Sequence, residues 1–256
     1  MSENGKYIYC IIEEEKSQTF GSRNIGETPA PVHSIHFNHI GAVISDTPIV
    51  NYPLLSKNYL AHQKVIEEAL SRNLNPLPVR FATIARNEQN IMAILEKRYD
   101  EFQDYLDRLR GKRELGLKVF WDSDIAYNEI LNENNQIKKL RDSLLTLPQE
   151  KSYFQRIEVG KLVENALIEK RKRESERILS PLRELCIDYR LGNIIGDKMV
   201  VNASFLVDSD QEKLFDAWVG ALNEENLKRF IIKYVGPIPP YNFVEIDINI
   251  LELGLN

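Results

Sequence analysis

The chain has 256 residues, a formal net charge of −5 and 43% hydrophobic residues. This composition is typical of a globular protein, and the acidic balance argues against a dedicated nucleic-acid-binding protein. The two cysteines, Cys10 and Cys186, lie far apart, which argues against a disulfide scaffold or a thiolate zinc site. No stretch approaches the ~20 apolar residues of a membrane span, and the polar residues 1–6 do not resemble a signal peptide. We therefore expect a cytoplasmic protein that binds neither membrane nor nucleic acid.

The first part of the chain interleaves predicted strands and helices. The β-branched and aromatic residues 7–12 predict a buried strand. The Gly- and Pro-containing stretch 20–31 predicts a loop, and residues 32–45 predict a hairpin that turns near Asn38. Ser56 is a candidate cap for a helix over residues 56–72.

The same alternation continues to residue 121. His62 lies on the apolar face of the preceding helix, where we interpret it as a buried, hydrogen-bonded side chain. Residues 77–81 predict a short strand whose proline favours either the first position of a strand or an edge strand. Asn87 begins a helical pattern that ends near Gly111, and residues 115–121 alternate as a strand does.

Helical sequence dominates residues 124–189. Between two apolar stripes, residues 171–177 are polar on every side, which predicts a helix that bridges solvent or is covered by side-chain stems. Residues 201–207 and 230–234 predict two further strands. The capping-box sequence that begins at Ser209 predicts a helix between them.

This order of elements predicts an α+β fold with two domains of ferredoxin-like character. Each domain would have a small antiparallel sheet covered by helices, with long helices in the second half. We place the boundary between Trp121 and Asp122, so that residues 1–121 form the first domain and residues 122–256 the second.

Motifs of known catalytic sites are missing from the sequence. The chain has no Gly-rich phosphate loop, no nucleophile elbow and no metalloprotease histidine pair. His33, His36 and His39 lie close together, but no nearby carboxylate or cysteine completes a ligand set, so we interpret them as strand and turn residues. We predict no catalytic residue, no cofactor, no metal and no small-molecule substrate.

The C-terminal tail is the feature that calls for an explanation. Residues 236–240 contain three prolines, which fix φ and lack backbone donors, and residues 244–250 alternate between apolar and polar side chains. This alternation favours a strand that docks on the sheet of its own domain. The alternative is that the tail pairs with another chain. The candidate partner-binding residues are Pro237, Pro239, Pro240, Tyr241 and Phe243.

Several segments, taken together in order and spacing, resemble the F/L family of gas vesicle accessory proteins. They are Tyr7-Ile8-Tyr9, Ala61-His62-Gln63-Lys64-Val65-Ile66-Glu67, Leu77-Pro78-Val79-Arg80-Phe81, Gly111-Lys112-Arg113-Glu114, Lys118-Val119-Phe120-Trp121-Asp122 and Gly236-Pro237-Ile238-Pro239-Pro240-Tyr241-Asn242-Phe243-Val244. The resemblance extends from residue 6 to about residue 244. Ala82 departs from the glycine that the family often has after the third segment, and Ile238 departs from a common tryptophan.

The resemblance implies a non-enzymatic role in building gas vesicles, the hollow protein shells that give some prokaryotes buoyancy. The implied partners are the small hydrophobic shell subunit and other gas vesicle accessory proteins, and the implied location is the cytoplasm, in association with gas vesicles. A two-domain α+β fold with a ferredoxin-like N-terminal part is also implied. Two other classes stay open, namely a ligand-sensing or RNA-binding ferredoxin-like module and an enzyme that uses His62 or the histidine cluster.

Overall fold

The computed structural model describes residues 4–23, 25, 29–145 and 152–248. The chain divides into two compact units, of which the first contains the residues up to Glu114 and those from Pro237 onward, and the second is Leu115–Gly236. The sequence placed the boundary after residue 121 and left the tail in the second domain. The division differs because the tail returns to the first unit, where it forms hydrogen bonds with Glu114 and Arg108.

The first unit combines one sheet with three helices in its described part. Its elements are β1 (Asn4–Glu13), β2 (Thr19–Arg23), β3 (Ala30–Phe37), β4 (Ile40–Pro48), α1 (Ser56–Ser71), β5 (Leu77–Pro78), β6 (Ile84–Ala85), α2 (Glu88–Lys97) and α3 (Tyr99–Leu109). The strand order is β2-β3-β4-β1-β5, and β6 also pairs with β1. These neighbours pair in antiparallel fashion.

The central strand β1 carries the core of the first unit. Its residues Tyr7 to Ile12 are all at most 1% exposed, because both faces of the sheet are covered. The register with β4 shifts between Ile8 and Cys10, as a β-bulge does, so that Tyr7, Tyr9 and Cys10 all face one apolar cluster. The predicted hairpin is confirmed, and its turn contains Asn38 at φ 51°, a left-handed conformation that asparagine tolerates.

The second unit contains a four-stranded sheet with helices against it. Its elements are β7 (Lys112–Trp121), α4 (Ser123–Glu133), α5 (Asn135–Leu145), α6 (Tyr153–Glu184), β8 (Asp188–Leu191), β9 (Met199–Asp208), α7 (Glu212–Glu225) and β10 (Phe230–Ile238), and the strand order is β10-β7-β9-β8. Buried side chains of α6 and α7 pack on β7 and β9 to form the core. The predicted α+β class with antiparallel sheets is confirmed.

The polar stretch 171–177 lies in the middle of α6, where ion pairs replace an apolar face. Lys170, only 3% exposed, contacts Glu129 at 3.0 Å and Glu133 at 2.8 Å on α4. Arg229 donates two hydrogen bonds to Glu129, at 2.7 and 3.0 Å, and one to Glu174 at 2.8 Å. We call Glu129, Glu133, Lys170, Glu174 and Arg229 the α4–α6 ion network. Bonds from Arg229 and Lys170 hold the pKa of Glu129 below its usual value.

Several local predictions are wrong, each for a physical reason. Residues 20–23 lie in β2 and residues 30–31 in β3, where we predicted a loop over residues 20–31. An irregular register around Gly21, at φ 68°, hides the strand alternation of β2. The single helix predicted from Asn87 is two helices, since Arg98 leaves the helical conformation at φ −111° and ψ 20°. The side-chain caps predicted at Ser56 and Ser209 do not form, because α1 begins at Ser56 itself and α7 begins only at Glu212.

No helix within the described residues is both long enough and apolar enough to cross a lipid bilayer.

The α4–α6 ion network predicts acid-sensitive stability of the second unit. We expect Glu129→Gln to lower the free energy of unfolding at neutral pH by roughly 1–3 kcal/mol, because Lys170 and Arg229 each lose a charged partner. The difference in unfolding free energy between this variant and the parent chain narrows as the pH falls through the lowered pKa of Glu129. The carboxylate of the parent then becomes neutral as well.

Urea unfolding followed by tryptophan fluorescence measures this difference, since Trp121 and Trp218 both lie in the second unit. Glu224→Gln on the exposed side of α7 is the control, for which we expect a change within about 0.5 kcal/mol. Equal stability of Glu129→Gln and the parent chain, or a gap that widens in acid, would contradict the prediction.

Candidate partner-binding tail and the polar contacts that hold it

The tail leaves β10 at Ile238 and turns sharply before it extends along the first unit. The Tyr241 amide donates to the Pro239 carbonyl at 2.7 Å, and the Phe243 amide donates to the Pro240 carbonyl at 3.1 Å. Residues 244–248 form no strand, so the predicted strand is wrong over this range, and Ile250 lies outside the described residues. The predicted alternation does persist in burial, because Val244, Ile246 and Ile248 are buried while the two residues between them are exposed.

The five candidate partner-binding residues differ in accessibility. Pro237 is exposed and Tyr241 is partly buried, whereas Pro239, Pro240 and Phe243 are buried. The Tyr241 ring packs against the apolar cluster of β1, and its hydroxyl oxygen is buried without a hydrogen-bond partner in the described structure. Burial raises the pKa of this hydroxyl. The accessible surface of these five residues therefore belongs to Pro237 and Tyr241.

Two side chains that sequence reasoning missed, Glu114 and Asn242, fasten the tail. Glu114 is fully buried, and its two carboxylate oxygens accept hydrogen bonds from the Asn242 amide at 2.9 Å and from the Asn242 side chain at 2.6 Å. Arg108 donates to the Phe243 carbonyl at 2.9 Å, and Arg98 donates to the Asp247 carbonyl at 2.8 Å. The sequence does contain a signal for them, because both residues lie in segments that resemble the family.

A second polar group, centred on His62, joins three of the other resembling segments. Tyr7 Oη accepts a hydrogen bond from the Ala82 amide at 3.0 Å and lies 3.0 Å from His62 Nδ1. Burial lowers the pKa of His62 to about 4, and a hydrogen bond with the Val79 backbone opposes that shift. The imidazole is therefore neutral at neutral pH, so Nδ1 accepts from the Tyr7 hydroxyl and Nε2 is left to donate to the backbone. The interpretation of His62 as a buried, hydrogen-bonded side chain is confirmed.

The other histidines and the cysteines occupy separate structural positions. His36 forms hydrogen bonds with Ser34 Oγ and with the Glu14 carbonyl, each at 2.7 Å. On the surface, His39 contacts the carboxylate of Glu15. Burial raises the pKa of the Cys10 thiol, which favours its unreactive protonated form. Among the described residues, no group of three or more histidine, cysteine or acidic side chains is placed to hold a metal ion.

Ala82 sits at the point where the backbone turns between β5 and β6. Its φ is 65°, which places a residue with a Cβ in the left-handed region. The departure from glycine noted in the sequence therefore falls at a position where glycine relieves strain. The Ala82 amide still reaches Tyr7 Oη, so the strained turn completes the His62 group.

The first unit also has a group of exposed apolar side chains at its surface. All the large apolar side chains that its described part exposes lie within residues 49–60. They are Ile49, Val50, Leu54, Leu55, Tyr59 and Leu60, and we call them the β4–α1 surface. An exposed apolar patch of this kind is typical of a protein interaction site.

Comparison with known proteins identifies the same relatives by sequence and by structure. A family model described as "Gas vesicle synthesis protein GvpL/GvpF" matches residues 5–245. The chain is similar to gas vesicle protein F of Dolichospermum flosaquae, with 24% identity over 94% of this chain and 98% of that protein. It is also similar to gas vesicle protein L1 of Halobacterium salinarum, with 23% identity over 94% of this chain and 90% of that protein.

Two solved structures share the fold. The crystal structure of gas vesicle protein GvpF from Anabaena sp. PCC7120 has a TM-score of 0.82 and 23% identity, covering 96% of this chain and 100% of that one. The structure of GvpF from Microcystis aeruginosa has a TM-score of 0.73 and 23% identity, covering 94% of this chain and 99% of that one. The arrangement of both sheets is therefore one that is already known from crystals.

The left-handed turn makes a prediction about Ala82. We expect Ala82→Gly to raise the free energy of unfolding by roughly 0.5–1 kcal/mol, because glycine adopts the φ of 65° without a Cβ clash. Ala61→Gly within α1 is the matched control. It should lower the free energy of unfolding by about 1 kcal/mol, because glycine has a lower helix propensity than alanine. Urea midpoints of both variants test the pair, and a destabilised Ala82→Gly chain would contradict the strain at this turn.

The fastening of the tail makes a prediction about Asn242. We expect Asn242→Ala to lower the free energy of unfolding by roughly 1.5–3 kcal/mol, because buried Glu114 loses a side-chain donor. Hydrogen exchange of the amides in residues 241–248 should become faster as well. Glu245→Ala, at an exposed tail position, serves as the control with a change within about 0.5 kcal/mol. Unchanged exchange in Asn242→Ala would show that the tail is held by other contacts.

Proposed function

Because this chain belongs to the gas vesicle synthesis protein GvpL/GvpF family and its role is therefore related to gas vesicles, we propose that it is a non-enzymatic accessory protein of shell assembly. In this proposal it binds the small hydrophobic shell subunit in the cytoplasm, together with other accessory proteins, and helps to start or extend the shell. It stays associated with the growing vesicle while it does so.

The observation that carries this proposal is the character of the accessible surface. The described residues of the first unit have their exposed large apolar side chains in the β4–α1 surface, whereas the His62 and Tyr7 pair is buried. A shell subunit with an apolar face aggregates unless that face is covered before assembly. An apolar surface on an acidic protein supports such covering, and a net charge of −5 opposes self-association of the carrier.

In this proposal only two of the five candidate residues in the tail are available for contact with a partner. Pro237 and Tyr241 offer accessible surface to a partner, and buried Pro239, Pro240 and Phe243 hold that surface in place. Docking through the tail itself remains a proposal.

Co-expression with the shell subunit tests the function. We expect the subunit to remain in the supernatant after centrifugation and to be captured with the tagged full-length chain, because its apolar face is covered. An unrelated acidic protein of similar size is the control and should leave the subunit in the pellet. Equal pelleting of the subunit with and without this chain would overturn the proposal.

A further inference from the structure

The polarity of helix α1 is inverted over its first two turns. Asn58 and His62, four residues apart and thus on one face, are 2% and 3% exposed. On the outer side, Tyr59 is 39% and Leu60 is 52% exposed. A helix at a protein surface ordinarily buries its apolar side chains and exposes its polar ones. This reversal leaves apolar side chains available for a contact that the first unit does not itself provide.

The segment before α1 extends the same apolar surface. Leu54 is 72% and Leu55 is 48% exposed. Beside them lies a cavity of about 720 Å³ that is lined in part by Val50, Tyr52 and Pro53. Tyr52 Oη donates to the Pro48 carbonyl at 3.3 Å and accepts from Thr47 Oγ1 at 2.6 Å, and these bonds fix the wall of this cavity. The β4–α1 surface is therefore a patch with a preformed groove beside it.

The charges on α1 indicate which partner fits. Lys57, Leu60 and Lys64 follow one another along the exposed side of the helix, so that two ammonium groups flank an apolar side chain. Among the described residues, neither lysine forms an ion pair. Residues 57–64 contain these two lysines and no acidic side chain, so this part of α1 is basic although the chain as a whole is acidic. It complements a partner whose apolar segment has carboxylates at its margin.

A second copy of this chain fits the surface poorly. A two-fold contact brings the same patch of both copies together, and Lys57 and Lys64 would then face lysines of the other copy. Like charges across such a contact disfavour it.

We infer that the β4–α1 surface is the docking site for the shell subunit, and that it receives an apolar segment flanked by acidic residues. This inference rests on the proposed function and adds to it the surface and the charge of the partner segment. Leu54 and Leu60 supply apolar contact, and Lys57 and Lys64 orient the partner through its carboxylates.

Capture of the shell subunit by variants of the full-length chain tests the inference. We expect Leu54→Ser with Leu60→Ser to reduce capture at least tenfold, because both side chains are exposed and their loss removes contact area. The matched control is Ile195→Ser with Leu227→Ser in the second unit, where the side chains are 73% and 69% exposed, and its capture should stay within twofold of the parent. Circular dichroism melting confirms that each variant is folded, and Leu54→Ser alone replaces the double variant if that variant does not fold.

The charge part of the inference has its own measurement. Capture by the parent chain should weaken as salt concentration rises, and Lys57→Glu with Lys64→Glu should weaken it at low salt and flatten the salt dependence. If this variant captures the subunit as well as the parent does at every salt concentration, the inference that acidic residues flank the partner segment is overturned.

The remaining outcomes separate this inference from the proposed function. If the parent chain captures no shell subunit, the proposed function fails, whereas equal capture by the parent and by the folded leucine variant overturns only the docking site. A parent dimer that the leucine variant converts to a monomer, with capture unchanged, would assign the surface to a second copy. Binding to phosphatidylserine vesicles that the variant loses, again with capture unchanged, would assign it to a membrane.

Discussion

The buried carboxylate of Glu114 joins the two distant parts of the chain that form the first unit. It stands at the last residue of the N-terminal pass, and its two oxygens are occupied by Asn242 on the returning tail. A carboxylate that is fully removed from water must be hydrogen-bonded, so the tail is required for the burial of Glu114. The turn at residues 241–243 places Asn242 against Glu114, and the Tyr241 ring beside it packs on the β1 cluster.

Two kinds of polar contact in the described residues have different structural roles. The His62 and Tyr7 pair and the Glu114 and Asn242 pair each connect short segments that are distant in sequence, so they specify how those segments meet. The α4–α6 ion network instead supplies a polar helix with partners along its length. In both cases the polar side chains are engaged in contacts within their own unit.

The resemblance between this chain and its relatives has a structural explanation in the first unit. Tyr7, His62, Val79, Glu114 and Asn242 lie in five of the short segments that together resemble the family. In the structure they meet in two hydrogen-bonded groups, beside one apolar cluster. The motifs that resemble the family therefore include residues that contact one another in this fold.

Local pattern by itself determined the elements whose side chains alternate or repeat regularly. It predicted β1, the hairpin of β3 and β4, the buried position of His62 and the α+β class, because apolar periodicity reports which face of an element is buried. Only the tertiary structure decided the return of the tail to the first unit, the partners of the polar stretch in α6 and the exposure of Leu60. These depend on contacts between residues far apart in the chain, such as Glu114 with Asn242 and Glu129 with Arg229, and no periodicity within a single segment contains that information.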